Sequence, residues 1–274
     1  MTDLGYPDTT AAREESVFDI DTRSEPVGGT RRSAWLSDRW CIRPGTPNGG
    51  YLLAICVRAL ADVAPHPDPL AVSGFFLRPG QVADAEVETE MLREGTRMST
   101  GESTLRQQGR DIVHAVATFT DLERATGRTE MLTEPPALPA PERCVSPTRG
   151  MDLNGATIAE RVEVRFADQP GWRQGRADGT PSAEFWMRLA DGTPADVLTL
   201  PLLVDAAPPV VWELGELQSS TVELTLHVRE RPEPGWLACR ASTRNLLNGF
   251  HEEDFEIWDS RGVLVAQSRQ LALV

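Results

Sequence analysis

Hydrophobic residues run almost unbroken from Tyr51 to Ala64, interrupted only by Arg58 and Asp62. A helix that is apolar on every side must be buried on every side, and this stretch falls short of the roughly 18 residues of a membrane span. The pattern predicts a central core helix. Pro47 and Asn48 ahead of it supply entry and N-cap, while Gly49 and Gly50 leave the first backbone N–H groups open at the positive end of the helix dipole. An oxyanion fits there chemically, although Asn-Gly-Gly before a helix is also an ordinary turn and cap. A second short apolar stretch, Asp196 to Pro208, echoes the first. With the closing prolines matched, Asp62-Val63-Ala64-Pro65 aligns with Asp205-Ala206-Ala207-Pro208, which points to an internal duplication.

The strand pattern repeats as well. A short strand is expected over Ser16 to Ile20, and a strand-like run over Arg32 to Ile42 carries Trp35 and Trp40. After the first helix, strands are expected at Leu70–Arg78, Val82–Arg93, Met98–Gln107 and Asp111–Thr120, separated by Pro79-Gly80, Glu94-Gly95 and Gln108-Gly109. Residues 126–159, with Pro135, Pro136, Pro139 and Pro141, read as a semi-rigid linker between repeats at 1–125 and 160–274. Strands are then expected at Glu160–Phe166 and Ala183–Leu189, followed by the second apolar helix. Ser219–Arg229, Gly235–Leu246, Phe250–Asp259 and Val263–Val274 complete the order. This spacing suits antiparallel pairing rather than βαβ units. The predicted fold is α+β, a double hot dog in which each repeat wraps a long antiparallel sheet around one buried helix.

Composition narrows the function. The 274 residues carry a formal charge of −14, which argues against nucleic acid or an anionic membrane as partner. Every basic side chain apart from the four histidines is arginine, so any anion site must use guanidinium or backbone groups. Met1 to Ser16 has no apolar run of the kind a signal peptide needs, and Cys41, Cys56, Cys144 and Cys239 lack metal-ligand spacing. The expectation is a cytoplasmic protein with reduced thiols and no metal. No Gly-x-Ser-x-Gly elbow, dinucleotide fingerprint or phosphate-binding loop is present.

Duplication supplies an internal test, because residues needed for folding should recur in both halves whereas those of a single site need not. Asp196, Thr221 and Gln270 each face an apolar counterpart, at Leu53, about Leu70, and Ala117. Gln270 shares strand phase with Leu264, Ala266 and Ala272, so it should point inward, where its amide requires partners. Alternation places Thr221 out of phase with the apolar residues of its strand. Ser220 is in the better phase, unless a bulge restores Thr221. Asp196 also suits a simple first-turn acid.

The segments Phe76-Leu77-Arg78-Pro79-Gly80 and Arg261 to Gln270, together with Asp196 followed by Leu200-Pro201, resemble bacterial acyl-CoA thioesterase II, a double-hot-dog family of TesB type. The resemblance implies an Asp, Thr or Ser, and Gln triad that orients a water, carried over here onto Asp196, Thr221 and Gln270, with Asp205 as the alternative acid. It also implies acyl-CoA as substrate, no cofactor beyond the coenzyme A of that substrate, and a homo-oligomer. Asn48, Gly49 and Gly50 are candidates for binding the thioester, with Gly49 and Gly50 as amide donors to its oxygen. Arg78, Arg229 and Arg231 are candidates for the coenzyme A phosphates. A non-catalytic acyl-thioester binding protein and an enoyl-CoA hydratase on the same scaffold are the alternatives.

Overall fold

The computed structural model describes residues 15–274, so the lead-in before Glu15 lies outside the described residues. The first half comprises helix α1 (Val17–Thr22), strands β1 (Ser24–Gly28), β2 (Arg31–Trp35), β3 (Cys41–Arg43) and β4 (Thr46–Pro47), and helix α2 (Gly49–Ala61). It ends with the long strands β5 (Asp68–Phe76), β6 (Asp84–Glu94), β7 (Ser99–Gln107) and β8 (Arg110–Thr120). The second half has β9 (Val162–Phe166), β10 (Ser182–Leu189), helix α3 (Leu200–Leu203), β11 (Ser220–Val228), β12 (Leu237–Ser242), β13 (Leu246–Leu247), β14 (Phe250–Trp258) and β15 (Leu264–Leu273).

All strands except β3 and β4 join one antiparallel sheet in the order β1-β2-β6-β7-β8-β5-β11-β15-β14-β12-β10-β9, with β13 paired to β14. Read outward from the β5–β11 junction, the two sides match strand for strand: β5 with β11, β8 with β15, β7 with β14, β6 with β12. The bulges match too. Register slips between Pro69 and Ala71 where β5 meets β8, and between Thr221 and Glu223 where β11 meets β15. The duplication inferred from the helices is thus written in the register, and the fold is a double hot dog.

Helix α2 forms because Asn48 caps it, accepting from the Tyr51 amide at 2.9 Å, and it is buried because nearly every side chain is apolar. Leu53, Ile55, Cys56, Val57 and Leu60 have no exposed surface. The sheet closes on the helix through two glycines: a methyl group on Gly74 would come within 2.7 Å of Leu53 Cδ1, and one on Gly101 within 3.0 Å of Leu60 Cδ2. Arg58, the interrupting charge, donates to Asp19 at 2.7 Å. The halves are tied at the junction by Arg231, whose guanidinium holds the buried Asp68 through two bonds of 2.9 Å.

Three local expectations are corrected. The strand expected from Ser16 is helix α1, because Ser16 and Asp19 form a capping box in which each satisfies the other's backbone amide. The run expected from Arg32 to Ile42 is broken after Trp35 by a 3-10 turn at Asp38–Trp40, which buries Trp40 against Tyr51 with ring centroids 5.7 Å apart. The second core helix is a single turn, since Pro201 in its first turn bars a helix running in from Asp196, and Pro208 and Pro209 follow closely. The proline-rich segment is not a free tether: Trp186 and Arg165 donate to the carbonyls of Pro139 and Pro141, and Thr157 bonds Asp38 and Cys41 of the first half.

The two helices meet at Gly50, where a methyl group would lie 2.6 Å from the Pro201 carbonyl oxygen and 3.0 Å from that of Leu202. Those are backbone atoms, which move only with their helix. Gly50→Ala should therefore lower the unfolding free energy by about 1–3 kcal/mol, measured by urea titration; an unchanged midpoint and slope would contradict this close approach.

Candidate active site

Asp205 follows α3 and turns its carboxylate onto the first turn of α2. Its Oδ2 accepts from the Gly50 amide at 2.7 Å and from Asn48 Nδ2 at 2.9 Å, while the same Asn48 amide reaches the Asp205 carbonyl at 2.9 Å. Asn48 thus caps α2 with one end and holds Asp205 with the other. The second carboxylate oxygen, Oδ1, lies 3.4 Å from Thr221 Oγ1. Thr221 in turn donates to Gln270 Oε1 at 2.7 Å. A hydroxyl carries one proton, and the shorter contact takes it.

The chain of contacts continues beyond Gln270. Its Nε2 donates to Glu253 Oε1 at 3.0 Å, and the other oxygen of Glu253 accepts from the Val210 amide at 2.9 Å. Gln270 and Glu253 face each other across β14 and β15 and are both buried. Thr221 reaches this face because the register slip sets it opposite Ala272 while Val222 is left out of the ladder. Ser220 is exposed and plays no part.

Burial dominates the electrostatics. It pushes the Asp205 carboxyl up to about 6 against the opposing pull of Gly50, Asn48 and Thr221. Glu253 is pushed up to about 7, again by burial, with the Asp205 charge adding to the rise and the bonds from Val210 and Gln270 opposing it. Among the described residues neither carboxylate has an ion-pair partner. Asp205, at about 6, is ionised at neutral pH yet basic enough to take a proton from water.

The structure places several of the candidate residues differently from expectation. The carboxylate of Asp196 accepts from the Leu198 and Thr199 amides at 3.0 and 2.9 Å and from the Thr199 hydroxyl at 2.7 Å, so it caps its own turn. The alternative acid, Asp205, is the one brought to Thr221 and Gln270. The Gly50 amide is taken by Asp205 and the Tyr51 amide by Asn48, which leaves Gly49 as the first-turn donor without a partner among the described residues. Gly49 is half-exposed, its amide is one of those a helix start leaves unpaired, and a methyl group there would lie 3.1 Å from Asp205 Oδ2 and 2.9 Å from the Phe76 ring. Arg78 is exposed two residues beyond Phe76 and donates to the Asp111 carbonyl at 2.7 Å. Arg231 is engaged by Asp68 and Glu123. Glu253 was not anticipated. Its signal was a charge in the inward phase of a strand whose other inward residues include His251, Phe255 and Ile257.

A groove of about 400 Å³ lies on the outer face of the second half, among Thr225, His227, Arg240, Asp254, Gln267 and Arg269. Its arginines are neutralised, Arg240 by Glu184 and Glu256 and Arg269 by Asp254. It is a solvated sheet face, on the other side of the strands from Asp205. Among the described residues no group of three His, Cys, Asp or Glu is placed to hold a metal ion, and no helix is long and apolar enough to cross a membrane. All four cysteines are free.

Two family models match the chain: an acyl-CoA thioesterase N-terminal domain over residues 36–120 and an acyl-CoA thioesterase C-terminal domain over residues 141–274. A Thermobifida fusca protein named as a candidate thioesterase II superposes with a TM-score of 0.84 at 33% identity, covering 95% of this chain and 98% of its own. A hot-dog protein of Alicyclobacillus acidocaldarius superposes at 0.80 with 22% identity, over 94% and 97% of the two chains. An uncharacterized protein of Mycobacterium tuberculosis is 29% identical over 263 residues, 87% of this chain and 89% of its own.

Asp205 generates a sign-definite prediction. Because its folded value of about 6 lies above the ordinary 3.8, the folded state keeps a proton that the unfolded chain releases. The resulting stability is present below about pH 4 and lost as pH rises to about 6, a loss of up to about 3 kcal/mol. The stability of Asp205→Asn relative to wild type should therefore grow from about pH 4 to about pH 6 and then level off. Chemical denaturation at several pH values reads this, and a difference that shrinks over that interval would reverse the sign.

Proposed function

The chain belongs to the acyl-CoA thioesterase family and is a thioester hydrolase, and from that premise we propose that Asp205, Thr221 and Gln270 hold and activate the water that cleaves an acyl-CoA thioester. The observation that carries the proposal is the meeting of these three side chains, from the end of α3, β11 and β15, at the N-terminus of the other half's central helix.

The chemistry follows from the direction of each hydrogen bond. With its proton committed to Gln270, the Thr221 oxygen has lone pairs to accept one hydrogen of a water, while Asp205 Oδ1 accepts the other. Both hydrogens held, the water's own lone pair is left to attack the thioester carbonyl. Asp205 takes the proton as the C–O bond forms. The tetrahedral oxyanion is met by the unpaired Gly49 amide at the positive end of α2. Collapse breaks the C–S bond, and the coenzyme A sulfur leaves as thiolate or takes the proton back from Asp205, giving free acid and thiol. Protein groups and water balance every step. Arg78, exposed two residues beyond Phe76, is our candidate for binding the nucleotide phosphates of the substrate.

Release of free thiol from a panel of acyl-CoAs tests the reading. Asp205→Asn, Thr221→Ala and Gln270→Ala should each lower kcat by about 100-fold or more with the fold retained by circular dichroism. Asp196→Ala should keep turnover and lose about 1 kcal/mol of stability, the worth of a turn cap. Equal losses at Asp196 and Asp205 would sink the assignment, and acyl-CoA binding without thiol release would favour a binding protein instead.

A further inference from the structure

Matching the two halves by register identifies one more residue that the second half has and the first lacks. With the bulges superposed, Leu224 corresponds to Val72. The β8 residue opposite Val72 is Ala117, the counterpart of Gln270, and the β7 residue opposite Ala117 is Gly101, the counterpart of Glu253. Thr221 corresponds to Pro69 in the same frame. The first half therefore closes this part of its sheet with proline, alanine and glycine, packing Leu60 of α2 onto Gly101. A charged residue at the Glu253 position is no requirement of the fold. It occurs with Gln270 and Thr221, in the half that has the polar chain.

Building on the hydrolytic reading above, we propose that Glu253 is a positioning residue that sets the direction of the whole chain: as a carboxylate it fixes the Gln270 amide so that Thr221 presents an accepting oxygen to the water. The donors around Glu253 fix that direction. Glu253 faces two N–H groups, Val210 N on one oxygen and Gln270 Nε2 on the other, and only an ionised carboxylate accepts on both sides. Gln270 then has its carbonyl toward Thr221 and receives that hydroxyl's proton. A donor in place of either Glu253 oxygen forces the Gln270 amide to turn over. Its NH2 then points at Thr221 and takes a lone pair of that oxygen, the Thr221 proton goes to Asp205 Oδ1 and takes one there, and each of the two atoms meant to hold the water is left with less electron density and less room to accept from it. Every hydrogen bond is still made after this reversal, so the fold survives it while the chemistry does not.

The other groups facing Glu253 leave this polarity to the carboxylate itself. His251, two residues away on the same face of β14, bonds Ser219 and Thr243, and burial holds it below its ordinary value. Glu213, on the turn that begins at Val210, is occupied by the Trp172 and Asp178 amides. Asp205 adds a like charge across Gln270, which together with burial places Glu253 in the neutral range. Protonated Glu253 presents an O–H where Gln270 needs an acceptor, so the wild-type rate should fall as pH drops through about 7.

The test measures kcat and KM for acyl-CoA hydrolysis from about pH 5 to about pH 9, with melting temperatures, for wild type, Asp205→Asn, Glu253→Gln and the exchange Glu253→Gln/Gln270→Glu. Glu253→Gln should melt no lower than wild type, lose about 100-fold in kcat at unchanged KM, and shift the acid limb of its residual rate downward. The exchange gives each donor an acceptor again. The amide introduced at position 253 accepts from Val210 N with its carbonyl and donates its N–H to the carboxylate introduced at position 270, whose other oxygen takes the Thr221 proton. The exchange should therefore recover about tenfold or more over Glu253→Gln, the coupling expected of two residues in direct contact. A Glu253→Gln enzyme with wild-type kcat and an unmoved acid limb, whatever its melting temperature, would overturn the inference. Should Glu253→Gln not fold, a folded exchange variant upholds the proposed direction and an unfolded one overturns it. Failure of the underlying reading looks different, since wild type would then release no thiol or Asp205→Asn would keep its rate.

Discussion

The structure turns on the approach of one helix start to the chain that leaves the other helix. Gly50 lets the first turn of α2 lie against the Pro201 and Leu202 carbonyls, and the amide exposed by that approach holds Asp205. A side chain at residue 50 would separate the helices by more than a hydrogen bond tolerates. Close packing, placement of the carboxylate and access to the Gly49 amide are therefore one constraint. They explain why Asn-Gly-Gly stands at the head of the long central helix.

The fold was legible because its signals are collective. A helix apolar on all faces and four long strands after it, each present twice, leave few architectures open, and the palindromic strand order around β5 and β11 is what that pattern describes. The errors fell where a single local contact decides. At Ser16 a capping box outweighs a stretch that reads as strand. At Asp196 a side chain three residues before Thr199 closes its own turn, and the helix expected to carry it outward never forms, because Pro201 stands at its beginning. Pattern reading treats a polar residue ahead of an apolar run as free for chemistry, yet the nearest backbone amides claim it first.

The two halves correspond in register at Gln270 and Ala117, and differ in how they use the aspartate before the closing proline. Gln270 and Ala117 correspond in register as they do in sequence, and both Gln270 and Thr221 face apolar counterparts. For the acid, matching the closing prolines paired Asp205 with Asp62, which made Asp205 look like a shared scaffold residue. Asp62 ends α2 and pairs with Arg32 at the surface, whereas Asp205 points inward to Gly50. The same residue type in the same place relative to a proline thus has two fates, decided by whether an arginine or a helix N-terminus lies within reach. Sequence alone does not say which.

Elsewhere in this arginine-only chain, the ionised carboxylates of the sheet are matched to guanidinium groups, as at Glu163, Asp254 and Asp68, and burial there is compensated. Asp205 and Glu253 are the departure. Glu253 is buried and Asp205 half-buried, both bind hydrogen-bond donors rather than cations, and desolvation raises both. An arginine beside either one would relieve that burden and also remove its basicity, since a paired carboxylate holds its charge too well to accept a proton from water. Neutral donors give the intermediate result: enough stabilisation that Asp205 is ionised at neutral pH and Glu253 ionises as pH rises through about 7, too little to make them inert. The first half, with Pro69, Ala117 and Gly101 at the matching positions, represents the same scaffold relieved of that tension, and those three positions offer no proton acceptor comparable to the polar side chains of the second half.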